Sequence, residues 1–163
     1  MDQYTAAVIN LLFAKEETMS ETPATTTPRH LWIVGIVALL WNLLGAMDYI
    51  MTETRNEAYM SQFTPEQLEF FYGFPAWVVA FWAIAVWGGV LGAVLLLIRK
   101  KLAVPVLLVS FLCMVVTAIH NYGFAGGADI VGGVGLLFSA VIFVVALALF
   151  IYARSMAKRG VLV

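Results

Sequence analysis

The chain has 163 residues, of which 63% are apolar and 12% are charged, and its mean hydropathy is +0.94. Soluble domains carry about a quarter charged residues, and a domain of this size cannot bury so large an apolar excess in one core, so composition excludes an ordinary soluble protein. The formal net charge of −1 lacks the basic excess typical of nucleic-acid binding, and no nucleic-acid partner is expected.

Residues 1–30 are polar and mixed, and their second half is rich in Ser, Thr and Pro. This composition buries little apolar surface and predicts a disordered tail. An apolar run near the start is broken by Asn10 and preceded by Asp2, unlike a secretory signal peptide. Met19 begins a segment typical of a natural protein start, which leaves open that residues 1–18 lie upstream of the true start.

Four apolar segments follow, each close to the roughly 20 residues that a bilayer-spanning helix needs. Their approximate bounds are 31–51, 75–98, 102–119 and 130–152. Because backbone polar groups cannot stay unpaired in lipid, each segment is expected to be helical. The short connections predict an all-α membrane protein, with an up-down-up-down bundle of four transmembrane helices over residues 31–153. The lipid bilayer is the first expected partner.

Lysine and arginine lie on one side of the predicted spans. Arg29 precedes the first span, Arg99, Lys100 and Lys101 connect the second to the third, and Arg154, Lys158 and Arg159 follow the fourth. The connections on the other side carry a single basic residue, Arg55. Since basic flanks stay in the cytoplasm, we predict an inner-membrane protein with both termini cytoplasmic, including the tail at residues 154–163.

The first outer connection contains helix-start signals. Thr64 and Gln67 are spaced as a capping box, with Pro65 at the first helical position. Gly73 is expected to stop the helix in a left-handed conformation. A short interfacial helix is therefore predicted over Pro65–Tyr72, with its aromatic residues at the level of the lipid headgroups.

Small residues predict where helices pack closely in lipid. Gly88 and Gly92 recur at four-residue spacing in the second span, and Gly135 lies in a similar pattern in the fourth. Gly45 in the first span is also assigned to packing. Packing within one chain is the main interpretation, while a homodimer or another membrane-protein partner is left open.

Polar residues in the spans suggest one candidate pocket, because such residues are costly in lipid. At 1.5 Å per residue, Asp48 and His120 lie about 25 Å and 27 Å from the starts of two parallel helices, so they reach the same outer level. The candidate pocket residues are Asn42, Asp48, Tyr49, Thr117, His120 and Asn121. The alternative is that these residues are hydrated interfacial groups and ordinary interhelical hydrogen-bonding groups.

Several chemistries are disfavoured by the residue inventory. The only cysteine, Cys113, cannot support disulfide exchange, and His30 and His120 lie on opposite sides, so they cannot ligate one haem. No combination of a nucleophile and a base is evident in the sequence. We therefore expect that the chain is not an enzyme and that it has no cofactor and no metal site.

The first span reads Trp41-Asn42-Leu-Leu-Gly45-Ala-Met-Asp48-Tyr49-Ile-Met-Thr52, and Phe63-Thr64-Pro65-Glu66 and Phe74-Pro75-Ala-Trp77 follow it. This pattern resembles an uncharacterised family of small bacterial four-helix inner-membrane proteins, over roughly residues 30–122. Members of that family are often labelled putative sugar transporters, and the resemblance implies the same hypothesis for this chain.

Two functions follow as hypotheses. The first is a small-solute permease or transport accessory, which would bind a hydroxylated solute at Asn42 and Asp48. Since alternating access usually sets two repeats against each other, four helices would then need a dimer. The second is a non-catalytic structural or partner-binding membrane protein, with the outer helix and its aromatic residues as the contact surface.

Overall fold

The computed structural model describes residues 3–4 and 27–163. Residues 27–163 form α1 (Arg29–Glu53), α2 (Glu57–Met60), α3 (Pro65–Tyr72), α4 (Ala76–Leu97), α5 (Ala103–Ile119), a π-helical turn (His120–Phe124) and α6 (Gly127–Lys158). The described part contains no strand. Four of its helices, α1, α4, α5 with the π turn, and α6, are long and apolar enough to cross a membrane. The all-α four-helix prediction is confirmed, and these helices indicate a multi-pass membrane protein.

Most of the predicted tail, including Met19, lies outside the described residues. Arg29 and His30, which the prediction placed in the tail, form the first turn of α1.

The four long helices alternate in direction. α1 packs on α4, α4 on α5, and α5 on α6. Side-chain contacts join α6 to α1. The His30 Nδ1 atom lies 2.6 Å from the Tyr152 hydroxyl, and the ring centroids of Trp41 and Phe138 are 6.4 Å apart. α1 and α5 therefore stand diagonally across the bundle. We call the end that carries α2 and α3 the cap end, and the end that carries the α4–α5 connection the tail end.

Glycines let α4 approach its neighbours. A Cβ atom on Gly88 would lie 3.0 Å from the Ser110 Cβ, and one on Gly92 would collide with the side chain of Leu107. Both contacts join α4 to α5. Gly45 and Gly135, which were also expected at close helix contacts, do not pack closely on another helix of the described chain. A Cβ at Gly45 meets nothing within 4 Å, and one at Gly135 meets Val131 of its own helix at 2.7 Å.

The tail end is closed by the last residues of the described chain. Gly160, at φ 70°, ends α6, and the Val161 N–H returns to the Met156 carbonyl as in a Schellman motif. The Val163 N–H then donates to the Arg99 carbonyl (2.7 Å), while Lys101 N–H donates to the Val163 carbonyl (2.9 Å). Leu162 is completely buried. The predicted tail at residues 154–163 is thus helical up to Lys158 and packed beyond it.

The cap end confirms the predicted α3 and adds α2. The Gln67 N–H donates to the Thr64 hydroxyl (3.3 Å), and the Thr64 N–H donates to Gln67 Oε1 (3.1 Å), which completes the capping box. The left-handed stop predicted at Gly73 is wrong, since its φ is −84°. Pro75, held extended at φ −59° and ψ 146°, redirects the chain into α4 instead.

α6 is longer than predicted and kinked. Gly132 has φ 65° and ψ −177°, which interrupts the helix. Only glycine adopts this conformation without strain. The interruption frees backbone groups, and the Ile130 carbonyl accepts a hydrogen bond from Gln67 Nε2 at 3.3 Å. The same Gln67 side chain therefore caps α3 and ties it to α6.

Candidate functional site

The cap end is built from an aromatic cluster that joins three segments. We call this cluster the aromatic cap; its rings, each in contact with another, are Tyr59, Phe63, Phe70, Phe71, Phe74 and Trp82. Phe63 contacts Phe71 edge to face with a centroid distance of 5.3 Å, and Phe70 contacts Phe74 at 5.1 Å. Edge-to-face ring pairs are the favoured geometry and contribute about 0.5–1.5 kcal/mol each beyond burial. The cap therefore fixes α2 and α3 over the ends of the long helices.

Asp48 is bound by the aromatic cap. The Tyr59 hydroxyl donates a hydrogen bond of 2.6 Å to Asp48 Oδ1. Burial, followed by the hydrogen bond to Asp48 and its charge, raises the pKa of Tyr59 to about 12. The phenol stays protonated at neutral pH and remains a donor. Asp48 thus anchors α2 to the end of α1.

His120 lies at another edge of the same cap. Its ring meets Trp77 edge to face with a centroid distance of 5.1 Å, and Phe74 at 6.5 Å. Its Nδ1 atom is 3.2 Å from Asn121 Oδ1. Since an amide oxygen only accepts, Nδ1 is the donor in this assignment. Beside this ring lies an open groove of about 440 Å³, lined by Trp77, Val116, Ile119, His120 and Phe124.

The structure does not bring the six predicted pocket residues together. Tyr49 packs edge to face on Trp82 with a centroid distance of 4.9 Å, and the Thr117 hydroxyl donates to the Cys113 carbonyl of its own helix (3.0 Å). Asp48 and His120 contact the aromatic cap at separate places. The prediction assumed that α1, which carries Asp48, and α5, which His120 directly follows, were neighbours. In the structure α1 and α5 stand diagonally across the bundle, and each packs on α4 and α6.

Asn42 belongs instead to a second polar contact, in the middle of the bundle. Its Nδ2 atom donates to the Ala38 carbonyl of its own helix (2.7 Å). Its Oδ1 atom occupies the space where a Gly89 side chain would begin, so the oxygen faces the Gly89 Cα–H group, which can act as a weak donor. From the other side, the Ser110 hydroxyl donates to the Ala85 carbonyl of α4 (2.5 Å). This contact joins α1, α4 and α5.

Tyr59 and Gly89 were not among the site residues predicted from the sequence. Tyr59 lies in α2, a four-residue helix whose sequence signal is the N-cap residue Asn56; the Asn56 side chain accepts from the Tyr59 N–H (3.0 Å). Gly89 was overlooked because the four-residue spacing selects its neighbour Gly88. The adjacent glycine pair was the signal, since two faces of α4 need close approach.

Comparisons with family models, with curated proteins and with solved structures found no match. Within residues 3–4 and 27–163, no three His, Cys, Asp or Glu side chains form a group that could hold a metal ion.

Proposed function

We propose that this chain is a non-catalytic membrane protein that binds a partner protein within the bilayer through α6. The observation that carries the proposal is the poor packing of α6 on its own bundle. It has the highest mean hydropathy of the four long helices and the smallest buried share. In its cap-end half, Val134 is 85% exposed and Leu137 is 68% exposed. The other three long helices bury 22%, 33% and 28% of their most apolar stretch inside the chain, against 6% for α6, so α6 leaves the largest share of its surface for contacts outside the chain.

The closed axis of the bundle favours this role over a permanent passage. At the tail end, Leu31, Leu96 and Leu162 have no exposed surface. In the middle, Asn42 fills the space at Gly89, and at the cap end Tyr59 is bonded to Asp48. Direct contacts therefore join the described helices at three levels of the bundle.

The test uses a photo-reactive amino acid at Leu137 and, as a control, at Leu44 of α1. The control is the same residue type, is 59% exposed, and lies at a similar distance from the cap end. We expect a discrete protein adduct in cells from Leu137 and none from Leu44. Equal adducts at both positions, or lipid adducts alone, would contradict the proposal.

The orientation is proposed from the basic residues: an inner-membrane protein with the cap end outside and both termini in the cytoplasm. A cysteine at Ser61 and one at Val163, in a Cys113→Ala background, report the two sides, because Ser61 and Val163 are exposed and Cys113 is buried. A membrane-impermeant thiol reagent on intact cells should label the first and spare the second. The reverse pattern would invert the topology, and partial labelling of both would indicate insertion in two orientations.

A second candidate is a permease for a small hydroxylated, sugar-like solute. It is favoured by the hydrogen-bonding groups of Asn42 and Ser110, which lie against α4 in the middle of the bundle, the depth at which transporters bind substrates. α1 and α4 would have to separate to admit a solute. Sugar uptake into proteoliposomes that is lost with Asn42→Ala would support transport, and uptake equal to that of empty liposomes would refute it.

A further inference from the structure

The groove beside His120 opens on the side of the bundle. One of its walls is Trp77, which continues a face of α4 that repeats every seven residues through Ile84 and Leu91. These three residues are each about half exposed, at 48%, 48% and 50%. A seven-residue repeat returns to the same face of a helix, so this wall is the end of a stripe that faces away from the other helices.

The opposite wall has the same character. Ile119 is 54% exposed. It follows the exposed Leu112 by seven residues, and Leu112 follows the exposed Leu108 by four, so the three residues share a face of α5. Phe124 of the π turn, 82% exposed, also lines the groove. Both walls are thus the cap-end extremities of apolar stripes on spanning helices, and such stripes face acyl chains in a bilayer.

One polar group lies in this apolar groove. His120 lines it, and the hydrogen bond from Nδ1 to Asn121 leaves the Nε2 atom without a protein partner among the described residues. A polar group next to apolar surface is costly unless it is hydrogen-bonded. Trp77 stands two residues into α4, the depth at which tryptophan meets headgroups and its indole N–H finds a partner. The groove therefore combines an apolar slot with polar groups at its interfacial edge.

We propose that this groove binds one phospholipid of the surrounding bilayer. An acyl chain lies in the slot between Trp77, Val116 and Ile119, and the glycerol–phosphate region lies at His120. The ester and phosphate oxygens of a phospholipid are acceptors for the indole N–H of Trp77, and a water molecule at this level can donate to both a phosphate oxygen and the Nε2 atom of His120. The volume of about 440 Å³ is within the range of small-molecule sites.

The experiment uses tryptophan fluorescence of the purified protein in detergent, titrated with a dibrominated phosphatidylcholine. One version retains only Trp77. The control retains only Trp87, which is on the same helix and is 46% exposed; the remaining tryptophans are replaced by phenylalanine. A bound lipid should quench Trp77 in a saturable manner at lipid fractions that leave Trp87 unquenched. Unbrominated lipid in excess should reverse the quenching, whereas inorganic phosphate should not.

Two variants test the location of the lipid. Val116→Phe fills the slot and should abolish the selective quenching, with thermal unfolding used to verify the fold. Phe124→Ala removes an exposed wall at little cost to folding and should weaken it. Equal quenching of the two tryptophans, or selective quenching that persists in folded Val116→Phe, overturns the proposal. The purified protein contains no partner, so this outcome is independent of the role proposed for α6.

Discussion

Replacing Gly89 with alanine is expected to force α1 and α4 apart, because α4 has no room for a side chain at this position. The new Cβ atom would lie 3.0 Å from Asn42 Cγ and closer still to its Oδ1 atom. Asn42 cannot turn away freely, since its Nδ2 atom donates to the Ala38 carbonyl at 2.7 Å. Either this hydrogen bond is lost or the helices separate.

The matched control is Gly45→Ala in α1, where a Cβ atom meets nothing within 4 Å. Both substitutions replace a helical glycine by alanine and gain about 1 kcal/mol of helix propensity. This gain cancels in the comparison. Overpacking of a close contact costs about 1–3 kcal/mol, so Gly89→Ala should be less stable than Gly45→Ala by that amount.

The assay is reversible unfolding of both variants in one detergent, together with Asn42→Ala alone and combined with Gly89→Ala. Removing the asparagine oxygen restores the space, so the double variant should recover most of the loss; neighbouring residues typically couple by about 0.5–3 kcal/mol. Equal stability of Gly89→Ala and Gly45→Ala, or additive effects in the cycle, would refute the close contact.

Three further predictions concern the two ends of the bundle. Tyr59→Phe should lower the free energy of unfolding by about 1 kcal/mol, because the hydrogen bond to Asp48 is lost. The folded pKa of Tyr59 is about 12 against 10.0, so the parent protein should lose stability as pH rises from 10 to 12. The Tyr59→Phe variant should lose less stability over this pH range. Gln67→Glu keeps the capping-box acceptor but removes the donor to α6, so hydrogen exchange should accelerate around the α6 kink and not in α3. Leu162→Ala should cost about 2–5 kcal/mol, whereas Val163→Ala, at a 63% exposed position, should change unfolding by less than about 0.5 kcal/mol.

The candidate site could be predicted only in part. The sequence indicates how deep a residue lies along its helix, but it does not indicate which helices are neighbours across the bundle. Depth follows from the rise per residue, and Asp48 and His120 both lie at the cap end. Direction across the bundle depends on which helices are neighbours, and α1 and α5 stand on the diagonal. Asp48 therefore contacts Tyr59 of α2, and His120 contacts Phe74 and Trp77. Tyr59, the partner of Asp48, comes from a segment whose pattern indicated no packing.

The sequence by itself determined the helical class, the four long apolar helices and the position of α3. These features depend on local chemistry: apolar length, backbone pairing in lipid, and the capping box at Thr64. The tertiary structure alone decided which glycines pack, how α6 kinks at Gly132, and that Leu162 is buried. Each of these depends on contacts between residues far apart in the chain, and in a uniformly apolar sequence the hydropathy pattern does not distinguish a face that meets another helix from one that meets lipid.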